Sequence, residues 1–178
     1  DAVVYLAPDV LNVCEVGAQS DLDALATTMS PTLALTPYLL PGTDTATGQN
    51  VGILLSPAAA LTSPLSRTNA TAEWPVEGSQ CGYTGTGGAA SVSKHYFARL
   101  AFPPPANISS ITMGGAHLLS QPLDPTRCAK REGQATVLRA AIDAFVKNGE
   151  EVLLLGDFND FDGEVPDWNG NVPASRVL

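Results

Sequence analysis

The sequence predicts a mixed α/β domain on three observations. Short apolar runs at Val10 to Val16, Val51 to Leu55, Tyr96 to Leu100, Ile111 to Leu119 and Val152 to Leu155 have the length and boundaries of buried strands. Ala18 to Thr28 and Gln134 to Val146 place apolar residues at three- and four-residue spacing, as helices do when they cover a sheet face. The last apolar run ends abruptly in Asp157, Asn159, Asp160 and Asp162, a concentration of oxygen donors at a strand exit that points to a metal or phosphate site.

In chain order, Ala2 to Leu6 reads as the tail of a helix running into the first strand, Val10 to Val16. That strand embeds Glu15 among apolar neighbours, and a charged carboxylate in such a place is costly unless it is paired or holds a cation. The helix Ala18 to Thr28 turns Leu22 and Leu25 to one side. Gly and Thr residues precede Val51 to Leu55 without the lysine or spacing of a P-loop, leaving Gln49 and Asn50 as either rim groups or parts of a turn. Pro57 to Gly88 is a long irregular insertion rich in small and turn residues. Lys94 and His95 enter the strand Tyr96 to Leu100, where they supply positive charge near a phosphate or merely solvate a strand end.

The strand Ile111 to Leu119 places His117 among apolar neighbours. Arg127, Lys130 and Arg131 then cluster before the helix Gln134 to Val146, either to steer an anion or to solvate the helix start. Asn148-Gly149 stops that helix. If strand geometry persists past Gly156, Asp157 and Asn159 point to one face. The plainer alternative is a polar turn in which Asp and Asn side chains bond their own backbone.

In that order and spacing, PDVLNVCEV, TGQNVGILLS, SKHYFARL, GGAHLLSQPLDPTRCAKREGQA and LLLGDFNDFDG resemble the endonuclease/exonuclease/phosphatase superfamily, the deoxyribonuclease I-like enzymes, over nearly the whole chain. The resemblance implies a four-layered α/β sandwich, two mostly antiparallel sheets flanked by helices. It implies that Glu15 binds a divalent cation, usually magnesium, and that His117 contacts the scissile phosphate. It makes Asp157 and Asn159 the GDxN pair that orients the attacking water and the phosphate oxygens. A hard oxygen ligand suits magnesium, and phosphate ester cleavage needs positioning and charge stabilisation more than covalent chemistry. Asn50, Lys94, His95 and Arg127 are secondary candidates for the substrate.

Members of the superfamily open with a strand bearing an asparagine and close with a strand carrying an Asp-His pair, and residues 1–178 match neither. The expectation is therefore a single domain that is a piece of a longer enzyme, with Ser175 to Leu178 beginning another helix and the missing strands supplied by the rest of the chain or by a partner chain. The rival class is a non-catalytic extracellular module that kept the fold and lost the chemistry.

With 44% hydrophobic residues the chain can bury a sizeable core. Nine basic against 18 acidic residues give a formal charge of −9, which argues against a broad phosphate-tracking surface but leaves nucleic acid open as one substrate among phosphate esters. No stretch approaches the roughly eighteen consecutive apolar residues of a membrane span. Sequons at Asn69 and Asn107, few lysines and long Pro, Gly, Ser and Thr loops favour an extracellular, glycosylated protein. Cys14 reads as a small core hydrophobe. In the resembled fold Cys81 and Cys128 lie in loops near the active-site rim, which makes them the leading disulfide pair.

Overall fold

The computed structural model describes residues 2–104, 106, 108–162, 164–165 and 168–177; Asn107, one of the two sequon asparagines, lies outside them. Along the chain come α1 (Ala2–Leu6), β1 (Val10–Val16), α2 (Gln19–Met29), β2 (Thr36–Leu39), β3 (Asn50–Leu55), β4 (Ala60–Leu61), β5 (Ala72–Trp74), β6 (Gly88–Ala90), β7 (His95–Ala101), β8 (Ser110–His117), α3 (Pro125–Lys147) and β9 (Val152–Asp157). Among the described residues, no helix is long and apolar enough to cross a membrane. The chain divides into two compact units, each made of three separated stretches.

The first unit, Asp1–Arg67, Ser93–Ala116 and Phe145–Gly156, is a sandwich of two sheets. One sheet is antiparallel with the order β1-β3-β2, and the other has the order β4-β7-β8-β9. Every residue of β3 is buried, because the strand is central in its sheet and covered on both faces. Val51, Ile53 and Leu55 point inward to meet Tyr96, Ala98, Leu100 and Met113 of the other sheet. Leu54 points outward to Leu22, Ala26 and Met29 of α2, so α2 forms an outer layer. Each such Leu or Ile, fully withdrawn from water, contributes roughly 1.5–3 kcal/mol. The N-terminus of α2 is held by the Asp21 carboxylate, which accepts the Ala18 N–H at 2.9 Å.

β7 and β8 pair antiparallel from His95↔Ala116 to Ala101↔Ser110. A Cβ on Gly115 would run into the Tyr96 ring and the Asn12 amide, so Gly115 is what lets the two sheets approach here, while the space beside Gly114 is taken by Phe97 and Leu154 of its own sheet. β9 runs in the same direction as β8, with Thr112 N–H donating to Glu151 O at 2.8 Å, and α3 is the crossover between them. The C-terminus of α3 is closed by Gly149 at φ 80, and the Glu150 N–H returns to Phe145 O at 3.1 Å.

The second unit comprises Thr68–Val92, His117–Ala144 and Asp157–Leu178. The long insertion is less irregular than its composition predicts: β5 and β6 form a hairpin, with Trp74, Cys81 and Ala90 packed on Cys128 and Ala129 of α3. The Cys81–Cys128 disulfide expected from the family resemblance is present, and Cys14 stays out of it, packed against the sandwich core. Cys128 does not lie in a loop, because α3 starts nine residues before the expected Gln134. Pro125 opens it, and the Asp124 carboxylate caps it by accepting the Arg127 N–H at 2.8 Å. Ser175–Val177 do not begin a helix; among the described residues this segment is a bend with Ser175 buried.

Arg99 grips Glu150 through two hydrogen bonds of 2.8 Å, and the Thr112 hydroxyl donates to the same carboxylate. These partners, Arg99 first, hold the Glu150 carboxyl down from its ordinary 4.5 to about 2. A depressed carboxyl stabilises the fold above its unfolded value and loses that contribution as pH falls toward its folded value. We expect stability to urea to decline as pH drops from 4.5 toward 2, and Glu150→Gln to flatten part of that slope while lowering stability at pH 7. Parallel pH profiles for the two proteins would contradict this assignment.

Candidate active site

The end of β1 is where the sequence reading needs its largest correction. Glu15 is not embedded among apolar residues. It adopts φ 62, and the pairing with β3 shifts between Cys14 and Val16, so Glu15 is the extra residue of a β-bulge. Val16 takes the core position toward Leu22 and Leu54 that strict alternation would have given Glu15, and the glutamate is expelled to an exposed position. An exposed Glu15 carries no burial penalty that a cation would have to offset, but a left-handed backbone at a non-glycine residue is itself a strained feature of the kind found at functional sites. The buried Asn50 stabilises the turn behind the bulge. Its amide donates to Val16 O and Gly17 O at 3.2 and 3.0 Å and accepts the Gly42 N–H at 2.5 Å. Asn50 is thus a clasp for backbone groups, with its donors and acceptor already engaged.

The other candidates in the first unit also have structural partners. Lys94 pairs with Asp44 at 3.2 Å and donates to Gln49 at 3.3 Å. His95 does not sit at a rim; alternation along β7 places it on the Phe97 side, 2% exposed and edge-on to that ring. A phosphate in solvent cannot reach it there.

The second unit brings together His117, Asp157 and Asn159. By alternation His117 continues the inward row Ile111–Met113 of β8, and Asp157 continues that of Leu155 on β9. The His117 imidazole is 4% exposed, and its Nε2 stands 3.7 Å from Oδ2 of Asp157, whose side chain is 53% exposed. Asn159 does not extend the strand: at φ 52 it turns the chain, its N–H donates to Asp157 Oδ1 at 2.9 Å, and its amide donates to Leu118 O at 3.0 Å. The Leu118 N–H returns to Asp157 O at 2.9 Å. The polar turn and the site are thus one arrangement, in which local Asx bonding presents an open carboxylate oxygen beside a buried imidazole. Such an arrangement can orient a water at the carboxylate and donate from the imidazole to an anionic oxygen. Asp162 belongs to a separate turn, where it accepts the Glu164 and Val165 N–H groups.

Behind this loop, α3 buries a polar row that its apolar spacing gave no reason to expect. Arg131, wholly buried, donates to Leu119 O and Pro122 O at 3.1 Å each, and Gln134 accepts the Leu119 N–H at 2.9 Å. Arg131 therefore neither steers an anion nor solvates the helix start. Lys130 lies over the Trp74 ring at 4.9 Å, and Arg127 is half-buried at the capped first turn.

Among the described residues no three His, Cys, Asp or Glu side chains form a ready metal cage. Magnesium does not require one. It keeps several waters and is held through one or two carboxylates plus substrate phosphate, so the exposed Glu15 carboxylate is a suitable oxygen donor.

No protein-family model and no curated protein matches the sequence. Solved structures do. ANGEL2, a 2′,3′-cyclic phosphatase, aligns over 91% of this chain and 43% of its own with 18% identity and a TM-score of 0.59. The human Nocturnin catalytic domain aligns over 89% and 54% with 13% identity and a TM-score of 0.58. A mannosyl-6-phosphatase from Bacteroides thetaiotaomicron aligns over 90% and 55% with 12% identity and a TM-score of 0.52. The chain spans about half the length of these structures. Its fold is the deoxyribonuclease I-like fold that these structures share, as the resemblance in the sequence implies.

Truncating Arg131 would leave two buried carbonyls unsatisfied and a cavity in their place. Arg131→Ala is expected to lower the unfolding free energy by roughly 2–4 kcal/mol in urea titration. A loss below about 0.5 kcal/mol, the range of a plain surface substitution, would show that the guanidinium does not hold this loop.

Proposed function

We propose that residues 1–178 form a single domain, short of its first and last strands, of a divalent-metal-dependent phosphoesterase that hydrolyses a phosphodiester with water as nucleophile. The observation that carries this reading is the His117, Asp157 and Asn159 group, locked by backbone hydrogen bonds at the ends of two neighbouring parallel strands on a deoxyribonuclease I-like fold. In the reaction Asp157 orients a water and accepts its proton as the oxygen attacks phosphorus in line with the departing ester oxygen. His117 donates to a non-bridging oxygen as its charge builds, and Asn159 fixes the loop and offers amide contacts to the phosphate. The P–O ester bond breaks, and the alkoxide takes a proton from solvent. Glu15 holds the cation, which when bound neutralises charge on a phosphoryl oxygen.

Substrate size follows from charge. A chain with 18 acidic and nine basic residues carries a formal charge of −9, which argues against a broad basic surface for tracking a nucleic acid backbone. A small phosphodiester or the end of a nucleic acid strand fits better than internal duplex DNA, and the 2′,3′-cyclic phosphatase activity named for ANGEL2 is compatible with that choice. The strands expected at either end would pair with β1 and β9, which are edge strands among the described residues. Between them lies an apolar cavity of about 430 Å³ lined by Val10, Ile111, Met113 and Leu155, with Ile108 and Leu153 half exposed at its mouth. The Cys81–Cys128 disulfide and the exposed sequon asparagine Asn69 support secretion into an oxidising compartment.

The test is turnover of bis(p-nitrophenyl) phosphate and of short oligonucleotides by the full-length protein, with magnesium or with chelator. Turnover should need the metal and fall at least about 100-fold in His117→Ala and in Asp157→Ala. Glu15→Gly should abolish the magnesium response yet leave the fold as stable, or up to about 1 kcal/mol more stable, because glycine relieves the left-handed strain. A well-folded full-length protein with no turnover would favour the non-catalytic module.

A further inference from the structure

The acidic run after β9 contains a carboxylate for which the proposed reaction has no use. Asp160 is half-buried, and both its oxygens are taken by the chain near residue 175. Oδ1 accepts the Ala174 N–H at 2.8 Å and Oδ2 the Ser175 N–H at 2.9 Å, and the Ser175 hydroxyl also donates to Oδ2. The next N–H, that of Arg176, donates to the buried Glu132 of α3 at 3.0 Å. Three successive backbone donors are thus received by two carboxylates. Asp160 Oδ1 also takes the Phe161 N–H at 2.9 Å, which fixes the turn immediately after Asn159. Burial pushes the Asp160 carboxyl upward, but the Ser175 hydroxyl, these N–H groups and the charge of Arg131 together hold it below the ordinary carboxylate range. The carboxylate form is therefore the one present at neutral pH.

The geometry points to Asp160 as a positioning residue: it ties Ala174 and Ser175 to the turn that carries Asp157 and Asn159, while Glu132 ties the following Arg176 to α3, so that the proposed phosphoesterase site is held from a remote stretch of sequence. The inference rests on the phosphoesterase reading for its effect on rate, but the clasp itself is observable without any substrate. Asp160→Ala removes both acceptors. Asp160→Asn keeps one oxygen and turns an NH₂ group against an N–H donor, so it should be intermediate. Asp162→Ala is the control, since that carboxylate is exposed and, among the described residues, accepts from the N–H groups of its own turn.

The experiment uses full-length protein above and below its melting range to confirm that each variant is folded, then measures kcat, KM and amide hydrogen exchange. In Asp160→Ala, kcat should fall about 10–100-fold, as when supporting partners of a reacting group are removed, with KM within about threefold. Amides of Ala174, Ser175 and Asn159 should exchange at least about tenfold faster, with Asp160→Asn between and Asp162→Ala unchanged. Faster exchange at Ala174 and Ser175 with Asn159 and kcat unchanged would overturn the positioning role, as would lost kcat without any change in exchange. If full-length wild-type protein turns over no phosphodiester, the phosphoesterase reading fails on its own, and the Asn159 amide still decides: faster exchange in Asp160→Ala upholds positioning and unchanged exchange overturns it.

Discussion

Gly156 is the constraint on which the geometry of the site depends. At φ 149, with an added Cβ landing on the Ala116 carbonyl, this position of β9 admits no side chain. Its close approach keeps β9 hydrogen-bonded alongside β8 to the last residues of both strands. The inward rows of two parallel neighbours then end together, one in His117 and the other in Asp157. A parallel pair needs a crossover, and α3 supplies it. Its first turns also hold the loop after His117 through Arg131 and Gln134, so one helix both connects the strands and props their ends.

Much of this was legible from residue order. Apolar run length located β1, β3, β7, β8 and β9 within a residue or two, because buried strands must be apolar whatever surrounds them. The GDFND motif marked the strand exit, and Asn148-Gly149 marked the end of α3. Features that depend on register were not legible. Leu11, Val13 and Val16 carried the cue to the bulge, since an apolar position arriving one residue late means that the residue before it is squeezed out, yet Glu15 inside an apolar run reads as buried. Asp124-Pro125 was an available helix-start signal that the polar run after it masked. The burial of Arg131 had no local signal, because its partners are carbonyls brought to it by the loop. Four-residue β2 was too short and too bounded by prolines and loop residues to stand out.

The basic residues explain the electrostatic character of the chain. Arg67 donates to Leu40 O and Pro41 O, Arg176 to Gly78 O, and Arg139 pairs with Asp143 one turn away on α3. Together with Lys94, Arg99, Lys130 and Arg131, these cations serve the scaffold, which leaves Arg127 and Lys147 outside that set. On the proposed reading, a chain that spends its positive charge on its own scaffold would attract a phosphate ester through a bound cation and a few directed donors rather than through a broad field. The proposed preference for small or terminal phosphodiesters follows from that economy.

The central claim is that water, oriented at Asp157, attacks phosphorus directly. The most direct measurement is turnover of a phosphodiester by the full-length protein in ¹⁸O-enriched water, with the product phosphate read by its ³¹P isotope shift. Direct attack by water on phosphorus places one ¹⁸O on the phosphomonoester product of a single turnover and none in the released alcohol. Label in the alcohol with none on the phosphomonoester would mean that water attacks carbon, retained rather than inverted configuration at a chiral phosphorothioate would mean that an enzyme group attacks first, and either would contradict direct attack by water on phosphorus.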